Sequence, residues 1–113
     1  GVSDAGTGGL VGDGVSPGTV EGRLRVVIDS CGARLEPGEI LVCPATDPGW
    51  TPLFLSAGGL VTELGGMVTH GSVVAREYGI PAVVGVQEAT KRLKTGQMAP
   101  VDGSSGRVVL LEE

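Results

Sequence analysis

The only histidine of this 113-residue chain, His70, stands where an imidazole could act as a nucleophile. It follows the glycine pair Gly65-Gly66 and Thr69, and it precedes an apolar stretch of helical character. The pattern predicts an imidazole at a helix N-terminus, where free N–H groups and the positive end of the dipole favour an anion. A neutral imidazole can accept a phosphoryl group, which would then meet the helix amides and the Thr69 hydroxyl.

A histidine that only caps or packs is the alternative interpretation of His70. The glycine pair favours chemistry, because glycine lets the backbone approach a ligand closely or adopt a positive φ. Metal chemistry is disfavoured, since one histidine and the spacing of Cys31 and Cys43 fit no zinc signature. No carboxylates cluster around His70 in the sequence, which argues against a metal-dependent hydrolase. For the two cysteines, free thiols are favoured over a disulfide.

Composition narrows the class of protein further. The net charge of −5 argues against a surface that binds nucleic acid, because the chain has no basic stripe. The one cluster of basic residues, at 91–94, is explained by a solvated helix face. No segment has the length of a membrane span, and no leader sequence is recognisable, so we expect a cytoplasmic protein that contacts no membrane. With 41% hydrophobic but only 3% aromatic residues, the core must be built from Val, Leu, Ile and Ala, which suits an α/β domain.

The elements that would position His70 follow from hydrophobic periodicity and turn residues. Residues 1–9 are rich in Gly, Ser, Thr and Asp and predict a flexible linker or arm, with one domain over residues 10–113. A turn is predicted at residues 14–18 and a hairpin around the glycine-rich turn at 102–106. Four strands are predicted, at residues 19–28, 39–43, 60–62 and 82–86.

Helices are predicted between these strands. One has Thr51 as its N-cap and Pro52 in its first turn, and ends at residues 58–59. A second opens at Thr69 or His70, carries Val73, Val74 and Tyr78, and ends at residue 79. One or two further helical turns are expected at residues 87–93. Strands alternating with helices predict an α/β domain with a mixed sheet.

Several ordered motifs resemble one known family. They are Gly65-Gly66, Thr69-His70, Val74-Ala75-Arg76-Glu77, the Gly-Ile-Pro-Ala-Val-Val-Gly run at 79–85, and Val-Asp-Gly-Ser-Ser-Gly at 101–106, with upstream segments at 35–42 and 46–53. Together they resemble the phosphohistidine swivelling (mobile) domain of phosphoenolpyruvate-utilising enzymes, which include pyruvate phosphate dikinase, phosphoenolpyruvate synthase and rifampin phosphotransferase. The resemblance extends from about Val11 to Leu111. It departs from the family at Thr69, where serine is commoner, and at Gly71, where alanine is usual.

The resemblance implies a three-layer β/β/α fold and gives roles to individual residues. His70 would be the catalytic residue that carries the phosphoryl group. Residues that bind the phosphate or orient the histidine would be Thr69, Gly71, Ser72, Gly65, Gly66 and Thr51. Two further residues would have supporting roles. Arg76 would belong to an intradomain ion pair or a docking surface, and Thr46 would lie near the histidine pocket. No residue is assigned to a metal.

The resemblance also implies that the chain is a phosphoryl-carrier domain of a multidomain ATP- or phosphoenolpyruvate-dependent phosphotransferase. The domain would bind no cofactor itself, while partner domains bind ATP or phosphoenolpyruvate with Mg²⁺. Its partners would be an ATP-grasp nucleotide-binding domain and an acceptor or phosphoenolpyruvate-binding domain. The isolated domain is not expected to turn over alone. The alternative is a stand-alone interaction module that has the same fold and no longer transfers phosphate.

Overall fold

The computed structural model describes residues 10–28, 34–66 and 69–109. The strands in this part of the chain are β1 (Leu10–Val11), β2 (Asp13–Ser16), β3 (Thr19–Val26), β4 (Ile40–Cys43), β5 (Gly59–Thr62), β6 (Ala82–Val84), β7 (Met98–Asp102) and β8 (Arg107–Val108). The helices are a 3-10 turn (Pro48–Trp50), α1 (Thr51–Phe54), α2 (His70–Tyr78) and α3 (Ala89–Arg92). Within these residues, no helix is long and apolar enough to cross a bilayer.

The strands form one mixed sheet in the order β1-β8-β7-β3-β4-β5-β6-β2. Strands β3 to β6 run parallel to one another, while β7, β8 and β1 extend the sheet antiparallel beyond β3. Strand β2 pairs antiparallel with β6 at the other edge. The two edge strands β1 and β2 are successive in the chain, so the sheet curls until its ends meet, close to a barrel.

Strands β4, β5 and β6 are buried on both faces, which explains their mostly apolar sequences. Because side chains alternate along a strand, Ile40 and Val42 enter one cluster of buried residues, whereas Leu41 and Cys43 enter the other. The first cluster lies between the two halves of the curled sheet and includes residues of β7 and β8. The second joins the parallel strands to α1 and α2 and includes Phe54. These layers are the β/β/α arrangement that the family resemblance implied.

The predicted strands and the hairpin formed by β7 and β8 are confirmed, with ends shifted by a few residues. The predicted turn at residues 14–18 was wrong in its first half, because Asp13–Ser16 is a strand. That strand exists through its pairing with β6, and a Cβ on Gly14 would collide with the Gly103 carbonyl oxygen. The expected arm at 1–9 and the chain end at 110–113 lie outside the described residues, as does Cys31.

The helix predictions need two corrections. Helix α1 begins at Thr51 with Trp50 as its N-cap residue and stops at Phe54, so Thr51 is the first helical residue and caps nothing. Helix α2 begins at His70 and ends at Gly79 in the left-handed conformation (φ 72°), as predicted. Its buried residues are Gly71, Ser72 and Ala75. Val74 packs half-buried against the second cluster, and Val73 and Tyr78 are exposed.

Candidate functional site

His70 is the first residue of α2, and the start of this helix is open. Thr69 occupies the N-cap position in an extended conformation, yet no side chain among the described residues caps the helix. The first intrahelical hydrogen bond runs from the Val73 amide to the Thr69 carbonyl, at 3.0 Å. The first-turn amides therefore have no side-chain acceptor in the described part of the chain, and they are positioned to bind an anion.

The imidazole of His70 is held by a threonine from another part of the chain. Thr46 follows β4, and its Oγ1 lies 2.8 Å from Nδ1 of His70. When Nδ1 carries the ring proton and donates it to Thr46, the lone pair of Nε2 is unprotonated and nucleophilic. The distance fits either tautomer, and the one that carries its proton on Nδ1 makes Nε2 the nucleophile.

An aromatic ring holds the imidazole from a second direction. Phe54, the last residue of α1, meets His70 edge-on with ring centroids 6.2 Å apart and planes at 68°. The same ring also meets Tyr78 edge-on, two turns along α2 from His70, at 6.3 Å. Since Phe54 is buried, it fixes the orientation of α2 and of the imidazole together.

A small cavity adjoins the imidazole. It has a volume of about 130 Å³, and its lining consists of Ala45, Thr46, Thr62, Leu64, Thr69, His70 and Gly71. Among the described lining residues the polar side chains are three hydroxyls and the imidazole, with no acidic or other basic side chain. A phosphoryl group placed here would therefore be bound by amides and hydroxyls, without a cationic side chain from this lining.

A cluster of hydrogen bonds ties the loop before His70 to α2. Ser72 Oγ donates to the Gly66 carbonyl at 2.7 Å, and Thr69 Oγ1 lies 3.1 Å from the same oxygen. The two hydroxyl oxygens are 2.9 Å apart. Gly66 adopts a positive φ of 111°, a conformation that favours glycine. The second glycine of the pair is therefore required by the shape of the loop.

Two other glycines lie where an added Cβ would be tightly packed. A Cβ on Gly71 would lie 3.0 Å from Thr46 Oγ1 and 3.2 Å from Leu60 Cδ2. The departure from the family's usual alanine at this position therefore gives the threonine room beside the histidine. A Cβ on Gly65 would lie 3.2 Å from the Cα of Gly85, where two backbone segments meet.

The structure thus brings together His70, Thr69, Gly71 and Thr46, with Ser72 and the glycine pair behind them. Thr51 is different, because among the described residues the hydroxyl that contacts the imidazole belongs to Thr46. Thr51 begins α1, and its predicted role in binding the phosphate or orienting the histidine stays a prediction. Arg76 donates to the Val15 carbonyl at 3.2 Å, an intradomain contact between α2 and β2.

Phe54 and Thr62 were missed by the sequence analysis. Both lie in apolar runs that indicated only core packing, and their contacts cross between elements. Thr62 ends β5 and donates to the Leu64 carbonyl at 2.7 Å, which fixes the loop below the cavity. Its place at the carboxyl end of a parallel strand was the one available signal, since ligands of open α/β sheets bind there.

Two titratable groups lie behind the site. Burial, followed by the charge of Glu63, raises the pKa of the Cys43 thiol to about 12, so this free cysteine is inert. The Glu63 carboxylate accepts the hydroxyl of Thr90 at 2.6 Å and its amide at 2.9 Å, and these bonds lower its pKa. Over the described residues, no group of three or more His, Cys, Asp or Glu is placed to hold a metal ion.

Comparison with known proteins identifies the family. The model of the "PEP-utilising enzyme, mobile domain" family matches residues 35–106. A rifampicin phosphotransferase of Streptomyces sviceus is 56% identical over 108 residues, covering 96% of this chain and 12% of that protein. A phosphoenolpyruvate synthase of Aeropyrum pernix is 47% identical over 95 residues, covering 82% of this chain and 12% of that protein.

Solved structures agree with the sequence relatives. A solution NMR structure of Enzyme I matches with a TM-score of 0.60 at 31% identity, covering 70% of this chain and 33% of that one. The chain spans 12% of the length of the two sequence relatives named above. Because the family model spans more than half of the chain and the sequence relatives cover most of it, this chain belongs to the mobile-domain family of phosphoenolpyruvate-utilising enzymes.

Proposed function

We propose that His70 accepts a phosphoryl group at one active site and delivers it at another. The observation that carries this proposal is the contact of 2.8 Å between Thr46 Oγ1 and Nδ1 at the open start of α2. It leaves Nε2 as the nucleophile beside a cavity whose hydroxyls and amides suit phosphoryl oxygens. Thr69 and Gly71 would contact the phosphoryl group, while Gly65, Gly66 and Ser72 shape the loop behind it.

The transfer step conserves atoms and charge as follows. The Nε2 lone pair forms a bond to the phosphorus of the donor, and the bond from phosphorus to the leaving oxygen breaks with its electron pair on that oxygen. The Nδ1 proton stays on the ring, where the Thr46 oxygen accepts its hydrogen bond and stabilises the positive charge that develops. In the second transfer the acceptor oxygen gives its proton to a base of the acceptor site and bonds to phosphorus, while the bond from phosphorus to Nε2 breaks with its electron pair on Nε2, which restores neutral His70.

The charge on the transferring group must be stabilised largely from outside this chain. No lysine or arginine is among the described residues that line the cavity, so Mg²⁺ and basic residues of partner domains would supply that stabilisation. The proposed partners are an ATP-grasp domain that binds ATP, or a phosphoenolpyruvate-binding domain, and an acceptor domain of the same polypeptide or complex. In this proposal the protein is cytoplasmic, and the isolated domain does not turn over.

The names of the relatives indicate which class of molecule is the final phosphoryl acceptor. Rifampicin phosphotransferases from Streptomyces and Bacillus are 56–59% identical to this chain, against 47% for the phosphoenolpyruvate synthase. The identities favour a rifampicin-type antibiotic over pyruvate as the final acceptor. The comparisons give no support to the alternative, an interaction module that has lost the transfer.

The experiment uses the full-length protein that contains this chain. It is incubated with Mg²⁺ and either phosphoenolpyruvate or ATP carrying ³²P in its β or γ phosphate. We expect a label that is acid-labile and base-stable, that is absent in His70→Ala, and that rifampicin removes when added afterwards. Equal labelling of the wild type and His70→Ala would overturn the carrier role, and removal by pyruvate instead of rifampicin would overturn only the acceptor.

A further inference from the structure

The hydroxyls of Thr69 and Ser72 compete for one acceptor, the carbonyl of Gly66. Each hydroxyl has a single proton to donate. Ser72 Oγ has the shorter contact with the carbonyl oxygen, 2.7 Å against 3.1 Å for Thr69 Oγ1. The Ser72 side chain is also fully buried, which leaves it no solvent partner. The Ser72 proton is therefore committed to Gly66.

The proton of Thr69 is not committed in this way. It can point to Gly66, whose carbonyl already has a donor, or to Ser72 Oγ at 2.9 Å. Neither acceptor becomes a buried unsatisfied group when Thr69 turns away. Thr69 is half-buried and lines the same cavity as His70, so its hydroxyl can rotate toward a group bound there.

From this proton count we infer that Ser72 is a positioning residue, which holds the Gly66 carbonyl so that the Thr69 hydroxyl is free to donate to a phosphoryl group on His70. The inference rests on the proposed carrier function and adds a division of labour between two adjacent hydroxyls. Thr69 contacts the phosphoryl oxygens, and Ser72 acts through Thr69. Without Ser72, the Gly66 carbonyl would compete with the phosphoryl group for the Thr69 proton.

The effect can be measured as the lifetime of phosphorylated His70. The phosphoryl oxygens carry more negative charge in the dianion bound to His70 than in the loose, metaphosphate-like transition state of its loss. A hydrogen-bond donor therefore stabilises the bound dianion more than the transition state, and removing the donor shortens the lifetime. The full-length protein is loaded with labelled phosphoenolpyruvate or ATP, freed of donor and Mg²⁺, and followed by acid-labile label or ³¹P NMR. Thr69→Val should shorten the lifetime about tenfold, as expected for one charge-assisted hydrogen bond. Ser72→Ala should shorten it about threefold, because Thr69 still binds part of the time.

The double variant separates this role from a merely structural one. Thr69→Val/Ser72→Ala should lose label no faster than Thr69→Val alone, since Ser72 acts only through Thr69. Thr62→Val is the matched control, because it removes another short hydroxyl bond to the same loop, to the Leu64 carbonyl, without contacting Thr69. In the variant Thr62→Val/Thr69→Val, the lifetime should be shortened by the product of the two single-variant factors.

Ser72→Cys tests whether packing explains the result. It fills the space of the hydroxyl with a weak donor, so it should behave like Ser72→Ala, and thermal melting establishes that each variant is folded. A wild-type lifetime in Ser72→Cys, or a double variant whose two effects multiply, overturns the inference while the carrier function stands. Failure of the wild type to label at His70 overturns both.

Discussion

Thr46 Oγ1 and His70 Nδ1 are 2.8 Å apart although the two residues are separated by 24 positions in the sequence. The contact joins the segment after β4 to the first residue of α2. It fixes which nitrogen of the ring is occupied, and together with the edge of Phe54 it fixes how the ring is oriented. The reactive geometry therefore depends on the parallel pairing of β4 and β5, which sets the positions of these elements.

Removing the threonine hydroxyl should slow phosphorylation of His70. Thr46→Val keeps the shape of the side chain but leaves Nδ1 without its partner, so the nucleophilic tautomer is no longer favoured. We expect the initial rate of label incorporation to fall about tenfold, equivalent to about 1.4 kcal/mol. Thr46→Ser keeps the hydroxyl and should retain most of the rate. Incorporation at the wild-type rate in Thr46→Val would show that the contact does not activate the imidazole.

The contact between Glu63 and Thr90 should make stability depend on pH. The hydroxyl and then the amide of Thr90 lower the pKa of Glu63 in the folded state. Such a carboxylate contributes stability above its unfolded pKa of about 4.3, and that contribution is lost as the pH falls through the lower folded pKa. Thr90→Val should therefore reduce the free energy of unfolding by roughly 1 kcal/mol at pH 7, and by less at acidic pH.

Urea denaturation at several pH values from 7 down to 3 measures this difference directly. Thr90→Ser keeps the hydroxyl and provides the control, with a smaller loss at pH 7. A difference between Thr90→Val and the wild type that stays constant across this range would contradict the role of the ionised Glu63.

Much of the sheet was predictable because its signals are local. The alternation at residues 19–26 and the apolar runs of β4 and β6 indicate strands without knowledge of their partners. Strand β2 was not predictable in this way, because Gly14 and the nearby Pro17 are turn residues by type. Its extended conformation depends on pairing with β6, residues that lie far along the chain.

The site was predictable only around His70. The Thr-His pair and the glycines before it located the helix start, but Thr46 was placed only near the histidine pocket. Sequence spacing does not show which loop carries the hydroxyl that reaches the imidazole. The helix that carries Val73, Val74 and Tyr78 was predicted, but the sequence did not show which face it buries. Gly71, Ser72 and Ala75 are buried, and Val74 packs half-buried against the second cluster.

Cys43 should resist alkylation in the folded protein. Its side chain is buried, and its pKa of about 12 leaves roughly one thiol in ten thousand ionised at pH 8. We expect iodoacetamide at pH 8 to leave the Cys43 peptide unmodified in buffer and to modify it in concentrated urea, as read by mass spectrometry. Modification of this peptide at similar rates in both conditions would show that the end of β4 opens to solvent.

Gly71 in the first turn of α2 and Gly79 at its C-cap should respond in opposite ways to an added methyl group. At Gly71 the φ is ordinary but the space is tight, because the new Cβ would lie 3.0 Å from Thr46 Oγ1. At Gly79 the space is open but φ is 72°, which strains any side chain. Gly71→Ala should therefore slow the phosphorylation of His70, and Gly79→Ala should lower the free energy of unfolding.

For Gly71→Ala we expect phosphorylation of His70 to slow about threefold, since Thr46 must move by a few tenths of an ångström and its hydrogen bond weakens. Thermal stability should change little, because alanine's helix propensity, worth up to ~1 kcal/mol, offsets the contact. For Gly79→Ala we expect a loss of about 1 kcal/mol in unfolding free energy and an unchanged rate. Label incorporation and thermal melting, measured on both variants, test the pair. If Gly71→Ala were less stable but phosphorylated at the wild-type rate, Leu60 and not Thr46 would be the neighbour that limits residue 71.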